Sequence, residues 1–428
     1  MLLDKIIPSR LLSKALNATK RLLSERGESN AASMALDLIA TYNLLSDEQK
    51  DQFFRHLAEK FNPEPANVLA AAQAYASKPS AEHLIALSAA SESPRQELLR
   101  RLNRAPSGTK TIIDMRHHLL KTLHRRPELK ALDADMAHLL GSWFNAGFLK
   151  MHQVDWRSPA HILEKIIQYE AVHAIDGWDD LRRRLQPDRR CFAFFHPQLP
   201  DEPLIFVEVA LLPEIPGSIG PLVDKKSPTL TADQFKCAIF YSISNCQPGL
   251  RGVSMGNFLI KRVAETLQKE LPSLRSFCTL SPVPAFMDWV CSGAPLTAQN
   301  VRPAWRARHQ ASVDLLGLRP ALWNERVTSG WRPDTCSEDE RAALQSLCTL
   351  YLLAQSTQPG GNPVAKFHLG NGARLHRVNW AADLSRKGIK QSAGLMVNYL
   401  YDLDKVEVNH ELFVNGEVSF TKSVTQLI

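Results

Sequence analysis

The 428-residue sequence predicts an α+β protein, in which an all-helical bundle over residues 1–150 precedes a mixed α/β domain over residues 151–428. Two observations predict this division. Only four of the twenty glycines fall in the first 150 residues, where helix-start signals recur. After about residue 190, apolar residues form short strand-like runs bounded by proline and glycine, which is typical of a sheet.

Helix-start signals support the bundle. The segment SDEQ at 46–49 has the spacing of a capping box and stands ahead of FFRHLAEKF. The segment SPRQ at 93–96 repeats the device, with proline at the first helical position. Apolar residues in ALDLIATYNLL and HHLLKTLHRR recur at helical spacing. We therefore predict amphipathic helices throughout this half.

Strand-like runs support the second domain. CFAFFHPQ, PLIFVEVALL and FKCAIFYSIS are strand candidates, and a proline-containing turn, LPDEP, separates the first two. NFLIKRVAETLQKEL then has one apolar helical face, and LRSFCTL is a further strand. Strand, loop, helix and strand in this order predict a βαβ-like unit within a sheet.

Composition limits the class of protein. The formal net charge of +7 is too small and too dispersed for a nucleic-acid surface, although it suits a substrate with several negative charges. The seven cysteines form no CxxC pair, and no secretory segment opens the chain, so we expect reduced thiols in the cytoplasm. The basic N-terminal stretch allows an organelle presequence, but an ordinary first helix is favoured because Asp4 and Pro8 interrupt its pattern. No apolar run reaches the length that spans a bilayer.

A glycine-rich segment, CQPGLRGVSMGNFLIKRV at 246–263, joins a predicted strand to a predicted helix. The first N–H groups of a helix have no intrahelical partner, so phosphate binds there when side chains leave room. Gly252 and Gly256 lack the Cβ atoms that would intrude, and Arg251 adds positive charge. The alternative is that the glycines only close a turn and cap a helix, since neither a Walker loop nor GxGxxG is present.

The stretch RGVSMG at 251–256 resembles the R-x-x-G-x-G/A pyrophosphate loop of the GNAT acyltransferases, except that Ser254 replaces the middle glycine. A wider resemblance covers roughly residues 155–405. YEAVHAI, FYSISNCQPGLRGVSMGNFLIKRV, FCTLSPVPAF and NPVAKFHLGNGARLHRVNWAADLSRKGIKQSAGLMVNYLY are similar to the malonyl-CoA decarboxylase family. That resemblance implies a GNAT-like catalytic domain that converts malonyl-CoA to acetyl-CoA and carbon dioxide.

The resemblance also implies the site. Ser281 in LSPVPAF is expected to accept a proton or bind the malonyl carboxylate, and His368 in FHLGNGA is expected to protonate the enolate. The expected CoA-binding loop comprises Arg251, Gly252, Val253, Ser254, Met255, Gly256 and Asn257. His376 and His410 lie in no supporting motif. No zinc-binding spacing and no G-x-S-x-G elbow occur, so we expect neither a metal nor a cofactor beyond the CoA of the substrate.

Two other functions fit the same residues. A CoA-dependent acyltransferase would use the same loop but would need an acceptor site, and a non-catalytic acyl-CoA sensor would act through the helical half. Release of carbon dioxide from malonyl-CoA alone would separate the decarboxylase from both. We further expect the helical half to mediate a homodimer or homotetramer, as such domains do in the family, and expect neither nucleic acid nor membrane as a partner.

Overall fold

The structure is a computed structural model that describes residues 10–24, 30–253, 259–298, 301–317, 322–358 and 360–428. It separates into two units, one made of residues 1–150, 195–204 and 246–255, the other of residues 151–194, 205–245 and 256–428. That two short segments from the second half join the first unit was not predicted from the sequence. The helices and sheet otherwise confirm the predicted α+β class.

The first unit is helical. Its helices are α1 Arg10–Leu23, α2 Ala31–Asn43, α3 Asp47–Lys60, α4 Pro65–Ser77, α5 Ala81–Ser91, α6 Pro94–Asn103, α7 Gly108–Thr122 and α8 Lys130–Trp143. The predicted capping box at the start of α3 is confirmed, because the Ser46 and Gln49 side chains bond to each other's backbone N–H. The capping box predicted at the start of α6 is wrong. The Ser93 hydroxyl donates to Asp135 at 2.8 Å and makes no hydrogen bond to the first turn of the helix.

The core of this unit excludes one pair of helices. Phe53, Phe54, Leu98 and Ile112 are completely buried between the other helices. In contrast, α4 and α5 contain no buried residue, and they pack on one another while Leu69, Leu84 and Ile85 are exposed, up to 68% for Ile85. Apolar side chains on α4 and α5 therefore remain in contact with solvent.

Gly249 has a packing role in the first unit. The segment 246–253 crosses α7 so closely that a Cβ atom on Gly249 would lie 2.0 Å from the carbonyl oxygen of Ile113. Arg116 of α7 fixes the crossing, since its Nη1 donates to the carbonyl oxygens of Gly249 and Arg251, each at 2.8 Å. The glycine at 249 thus serves contact with a helix, whereas Gly252 adopts a left-handed conformation, with φ +77°, and has open space where a Cβ would stand.

Gly249→Ala should therefore lower the free energy of unfolding by about 1–3 kcal/mol, the usual cost of overpacking. Gly141→Ala is the matched control in α8, because a Cβ there meets no atom within 4 Å. Alanine should stabilise that helical position by about 0.5–1 kcal/mol. Urea unfolding of both variants and the wild type measures the difference, and equal stabilities would contradict the close crossing.

The second unit is built on a mixed sheet. Its strands are β1 Lys150–Val154, β2 Arg189–Phe195, β3 Ile205–Leu212, β4 Cys237–Asn245, β5 Ser276–Thr279, β6 Ser281–Pro282, β7 Arg374–Asn379 and β8 Met396–Tyr401. They are ordered β1-β2-β3-β4-β5-β8-β6, and β7 also pairs with β8. Strands β4 and β5 are parallel, whereas β2–β3, β3–β4, β5–β8, β6–β8 and β7–β8 are antiparallel. The predicted βαβ unit is confirmed as β4, a crossover helix and β5. The likeness of this sheet to the GNAT fold stays a prediction.

The second unit also contains twelve α-helices among its described residues, which lie between and after the strands along the chain. They are α9 Ala160–Tyr169, α10 Gly177–Arg184, α11 Gly220–Val223, α12 Leu259–Glu270, α13 Phe286–Cys291, α14 Pro303–Leu316, α15 Leu322–Thr328, α16 Glu338–Leu350, α17 Pro363–Gly370, α18 Arg386–Ser392, α19 Val406–Val414 and α20 Lys422–Thr425. The crossover helix α12 buries Leu259, Ile260, Val263 and Leu267. The apolar face predicted from the sequence also includes Leu271, which lies one residue beyond the helix and is only partly buried. Throughout the described residues, no helix is long and apolar enough to cross a membrane.

Candidate active site

The candidate site lies where β4 and β5 separate. The two strands pair from Cys237 with Ser276 to Phe240 with Thr279, after which β4 continues to Asn245 without β5 beside it. The chain leaving β5 pairs instead with β8 through β6, and Pro282 has no N–H to extend a ladder. The gap holds a cavity of about 330 Å³. It is lined by Val172, Ile205, Phe240, Tyr241, Ser242, Ile243, Asn245, Ser281, Pro282, Pro363, Val364, Phe367 and His368.

Ser281 is fixed on the wall of this cavity. It is 5% exposed, and its backbone pairs with Val397 of β8. Its hydroxyl donates to Thr279 Oγ1 at 2.9 Å, and Thr279 Oγ1 also accepts from the Tyr399 N–H at 3.2 Å. Alternation along the extended chain places Thr279 and Ser281 on the same side, which lets the two hydroxyls meet.

His368 faces Ser281 from α17. Its Nε2 lies 3.1 Å from Ser281 Oγ, and its Nδ1 lies 2.9 Å from the Tyr401 hydroxyl. The ring stacks on Tyr399 with centroids 4.7 Å apart and planes at 25°. The structure therefore brings together the two residues singled out for catalysis, although 87 positions separate them in sequence.

The ionisation of His368 differs from that of an ordinary histidine. A solvent-exposed histidine titrates near pH 6.5, but His368 is only 3% exposed, and this burial lowers its pKa to about 3. The imidazole is consequently neutral at physiological pH and carries one N–H. Burial also raises the pKa of Tyr401, which keeps its proton. Because the Ser281 hydroxyl already donates to Thr279 Oγ1, its bond with His368 needs the N–H on Nε2, and Nδ1 then accepts from the Tyr401 hydroxyl.

The neutral histidine makes stability depend on pH. An unfolded histidine binds a proton below about pH 6.5, whereas folded His368 does so only near pH 3, so stability is lost as the pH falls through this window. His173 acts in the same direction, because burial lowers its pKa to about 4. When the pH falls from 7.5 to 5.5, the free energy of unfolding should fall by about 1.4 kcal/mol less in His368→Gln than in the wild type. Urea titrations at both pH values measure this, and an equal fall in wild type and variant would contradict a buried neutral His368.

A further part of the wall was not singled out from the sequence. The Glu170 carboxylate accepts from the Ser242 hydroxyl at 2.7 Å, from the Ser244 hydroxyl at 3.1 Å, and from the N–H groups of Val172 and His173 at 2.8 Å. It thereby holds the start of YEAVHAI against β4, where Val172 and Ser242 line the cavity. The sequence signals were the acidic residue of YEAVHAI and two serines spaced by two on β4, Ser242 and Ser244, but nothing in the sequence shows that they meet.

The two tyrosines beside His368 were also missed. Tyr399 and Tyr401 stand two apart on β8, so they share one face of the strand and both reach the imidazole. The block VNYLY contains this alternation, but the contact with a histidine about thirty residues earlier cannot be read from it.

The other candidates lie elsewhere. His376 is on β7 and His410 on α19, where His410 Nδ1 lies 2.6 Å from the carbonyl oxygen of Gly370; neither lines the cavity. Arg251 and Gly252 are exposed and Val253 is buried, all in the helical unit. Ser254, Met255, Gly256 and Asn257 lie outside the described residues. Within the described ranges, no three His, Cys, Asp or Glu side chains cluster as metal ligands would.

Comparison with known proteins agrees with the resemblance. The family model of the malonyl-CoA decarboxylase C-terminal domain matches residues 147–428, and that of the N-terminal domain matches residues 61–144. A crystal structure of malonyl-CoA decarboxylase from Rhodopseudomonas palustris is 43% identical, with a TM-score of 0.83 over 97% of this chain and 99% of that one. The protein of that name from Agrobacterium vitis is 45% identical, with a TM-score of 0.82 over 96% and 99%.

A curated relative, the mitochondrial malonyl-CoA decarboxylase of Mus musculus, is 36% identical over 330 residues, or 73% of this chain and 66% of the relative. The chain thus spans about two thirds of the length of the curated relatives it matches. The N-terminal model matches residues 61–144 of the helical unit, and the C-terminal model covers the unit that carries Ser281 and His368. The chain therefore belongs to the malonyl-CoA decarboxylase family.

Proposed function

We propose that the protein converts malonyl-CoA to acetyl-CoA and carbon dioxide in the cavity beside Ser281 and His368. The observation that carries this proposal is the hydrogen-bonded pair of Ser281 Oγ and His368 Nε2, 3.1 Å apart, on the wall of an otherwise mainly apolar cavity. Membership of the family supports the choice of substrate.

The reaction needs little beyond positioned hydrogen-bond donors. The bond between C2 and the malonyl carboxylate breaks, carbon dioxide leaves, and the electron pair passes into the thioester to form an enolate. One proton, drawn ultimately from water, then adds to C2. The thioester itself is the electron sink, so we propose that neither a metal nor a separate cofactor takes part.

The polarity of the cavity favours this step. Among the described residues that line it, none is a lysine, arginine, aspartate or glutamate. A malonyl carboxylate placed there loses water without gaining a countercharge, whereas the products are neutral carbon dioxide and a delocalised enolate. Donors aimed at the developing oxyanion stabilise the transition state more than the bound substrate. The cavity therefore suits the loss of the carboxylate better than its tight binding.

His368 acts as a neutral donor in this proposal. The carbon of a thioester enolate is a stronger base than the imidazolate left when a neutral imidazole gives up its N–H, so an uncharged N–H can supply the proton. A neutral histidine can also polarise a carbonyl. As Nε2 gives up its proton, Nδ1 takes one from Tyr401; a proton from water then returns to Nε2 and Nδ1 gives its own back to Tyr401, which restores the starting tautomer. Among the described residues, the Ser281 hydroxyl bonds to Thr279 and to the neutral His368, and neither is a base strong enough to ionise it. We therefore assign Ser281 hydrogen bonding to the malonyl carboxylate or thioester oxygen.

The CoA portion is proposed to bind through Arg251, Gly252, Val253, Ser254, Met255, Gly256 and Asn257. Two observations on the described part of this loop support the idea. Arg251 is exposed, and the left-handed Gly252 presents open space where a side chain would otherwise stand. A diphosphate could approach the backbone at this point without meeting a Cβ atom.

The test measures carbon dioxide and acetyl-CoA from malonyl-CoA, with no acceptor added and with a chelator present. One carbon dioxide per acetyl-CoA, and one deuterium in the acetyl methyl group when the solvent is D₂O, would support decarboxylation through an enolate. Binding of malonyl-CoA without release of carbon dioxide would overturn the decarboxylase proposal and favour the acyltransferase or the sensor. Loss of activity only when the chelator is present would overturn the metal-free mechanism but not the decarboxylation itself.

Assembly and location are part of the proposal. The exposed apolar residues of α4 and α5 support self-association through the helical unit into a homodimer or homotetramer. Light scattering of the purified protein tests this, and a monomer at micromolar concentration would overturn it. Cytoplasmic residence remains our proposal, although the matched mouse and goose relatives are named as mitochondrial proteins.

A further inference from the structure

We propose that Asn362 is a positioning residue that sets the distance between His368 and Ser281. Its side chain is 1% exposed and binds two segments at once. Oδ1 accepts from the N–H of Ala365 at 2.9 Å and so caps α17, the helix that carries His368. Nδ2 donates to the carbonyl oxygen of Pro284 at 2.7 Å, three residues after Ser281. The inference rests on the proposed function.

The two hydrogen bonds of Asn362 determine where His368 and Ser281 stand relative to each other. His368 lies six residues beyond Asn362 on a helix of eight residues, and at 1.5 Å per residue the separation is about 9 Å. A hydrogen-bonded helix of this length moves as one body, so a shift at its N-terminus shifts the imidazole. On the other side, two prolines stiffen Ser281-Pro282-Val283-Pro284. A single amide therefore connects the two segments whose side chains meet at 3.1 Å.

A third element lies beside the amide. Burial raises the pKa of the Tyr351 hydroxyl, and the neighbouring Asn362 side chain opposes that rise. Tyr351 begins a π-helix, Tyr351–Gln355, and its ring packs against Trp289 with centroids 5.0 Å apart and against Phe286 at 5.8 Å. Departures from α-helical pairing of this kind often occur near functional sites. Asn362 thus bonds to two segments and lies beside a third, and helix capping explains only one of its two hydrogen bonds.

The informative variant is Asn362→Ser, because serine caps a helix about as well as asparagine but is too short to cap α17 and also reach Pro284. We expect kcat to fall about 10–100-fold and KM to change less than about threefold, since a misplacement near 1 Å can cost about 100-fold. Asn362→Ala removes the cap as well and should additionally lower the midpoint of thermal unfolding.

A double-mutant cycle with Ser281→Ala separates positioning from a merely structural role. If Asn362 acts by aligning Ser281 with His368, Asn362→Ser should cost little more once the serine hydroxyl is gone. A loss of folded protein would instead lower activity by the same factor in both backgrounds. Ser337→Ala is the matched control, because Ser337 caps α16 in the same unit through the Glu340 N–H. It should lower stability and leave kcat unchanged.

Each outcome decides the matter. Strong coupling between the two positions, with normal thermal stability of Asn362→Ser, would support the inference. Wild-type kcat in Asn362→Ser, or equal losses in both backgrounds, would overturn it while leaving the decarboxylase standing. If the wild type releases no carbon dioxide, the proposed function falls and this inference falls with it.

Discussion

Replacing His368 with glutamine should lower kcat for carbon dioxide release by about 10²–10⁴-fold, the usual contribution of general acid–base catalysis. Glutamine has a similar size and keeps an N–H near Ser281, but it cannot pass a proton from Tyr401 to C2. KM should stay within about threefold, because the CoA portion is proposed to bind elsewhere. Single-turnover release of labelled carbon dioxide, with malonyl-CoA binding measured by calorimetry, separates the two effects.

His376→Gln is the matched control for this prediction. His376 is a second, half-buried histidine of the same unit, on β7, and does not line the cavity, so its replacement should leave kcat near the wild-type value. The wild-type pH profile supplies an independent check. Because burial lowers the pKa of His368 to about 3, kcat should not decline between pH 6 and 8.5 through loss of an imidazolium proton. A decline centred near pH 6.5, or nearly full activity in His368→Gln, would contradict a neutral proton donor.

The ionisation of His368 shows where sequence reasoning stopped. The block FHLGNGA identified the residue, but its pKa depends on burial beneath Tyr399 and Tyr401 of β8, which pack over it. Composition and spacing describe single segments, whereas desolvation depends on every segment packed around a group. A motif can therefore identify a residue, whereas the charge that the residue carries depends on the structure around it.

The strands and the crossover helix, in contrast, were predictable because their signals lie within single segments of the chain. Their signals are local: alternating or continuous apolar residues, a helical apolar face, and prolines between them. The place where β4 and β5 separate is not local, because it depends on the pairing of β6 with β8 about 115 residues later. Gly249 shows the same limit, since the reason for its missing side chain is the carbonyl oxygen of Ile113 on a distant helix.

Ser281→Ala should lower kcat by about 10²–10³-fold, which is the loss usually measured when one donor to a developing oxyanion is removed. The fold should survive, because Ser281 is held in β6 by backbone pairing with β8 rather than by its hydroxyl. Ser276→Ala, on the adjacent strand β5 and outside the cavity, is the matched control and should retain wild-type kcat. Unchanged malonyl-CoA binding in Ser281→Ala would assign the loss to the chemical step, whereas weaker binding with normal kcat would show that the hydroxyl only holds the substrate.

The double variant Ser281→Ala with His368→Gln decides whether the two residues work as one unit. Groups that act in a single step lose their effects together, so the double variant should be little worse than His368→Gln alone. Ser281 Oγ and His368 Nε2 already share a hydrogen bond before substrate arrives, and Thr279 and Tyr401 fix the outer ends of that chain. If the two losses instead multiply, each residue stabilises the transition state independently. The hydrogen bond between them would then position the side chains without taking part in proton transfer.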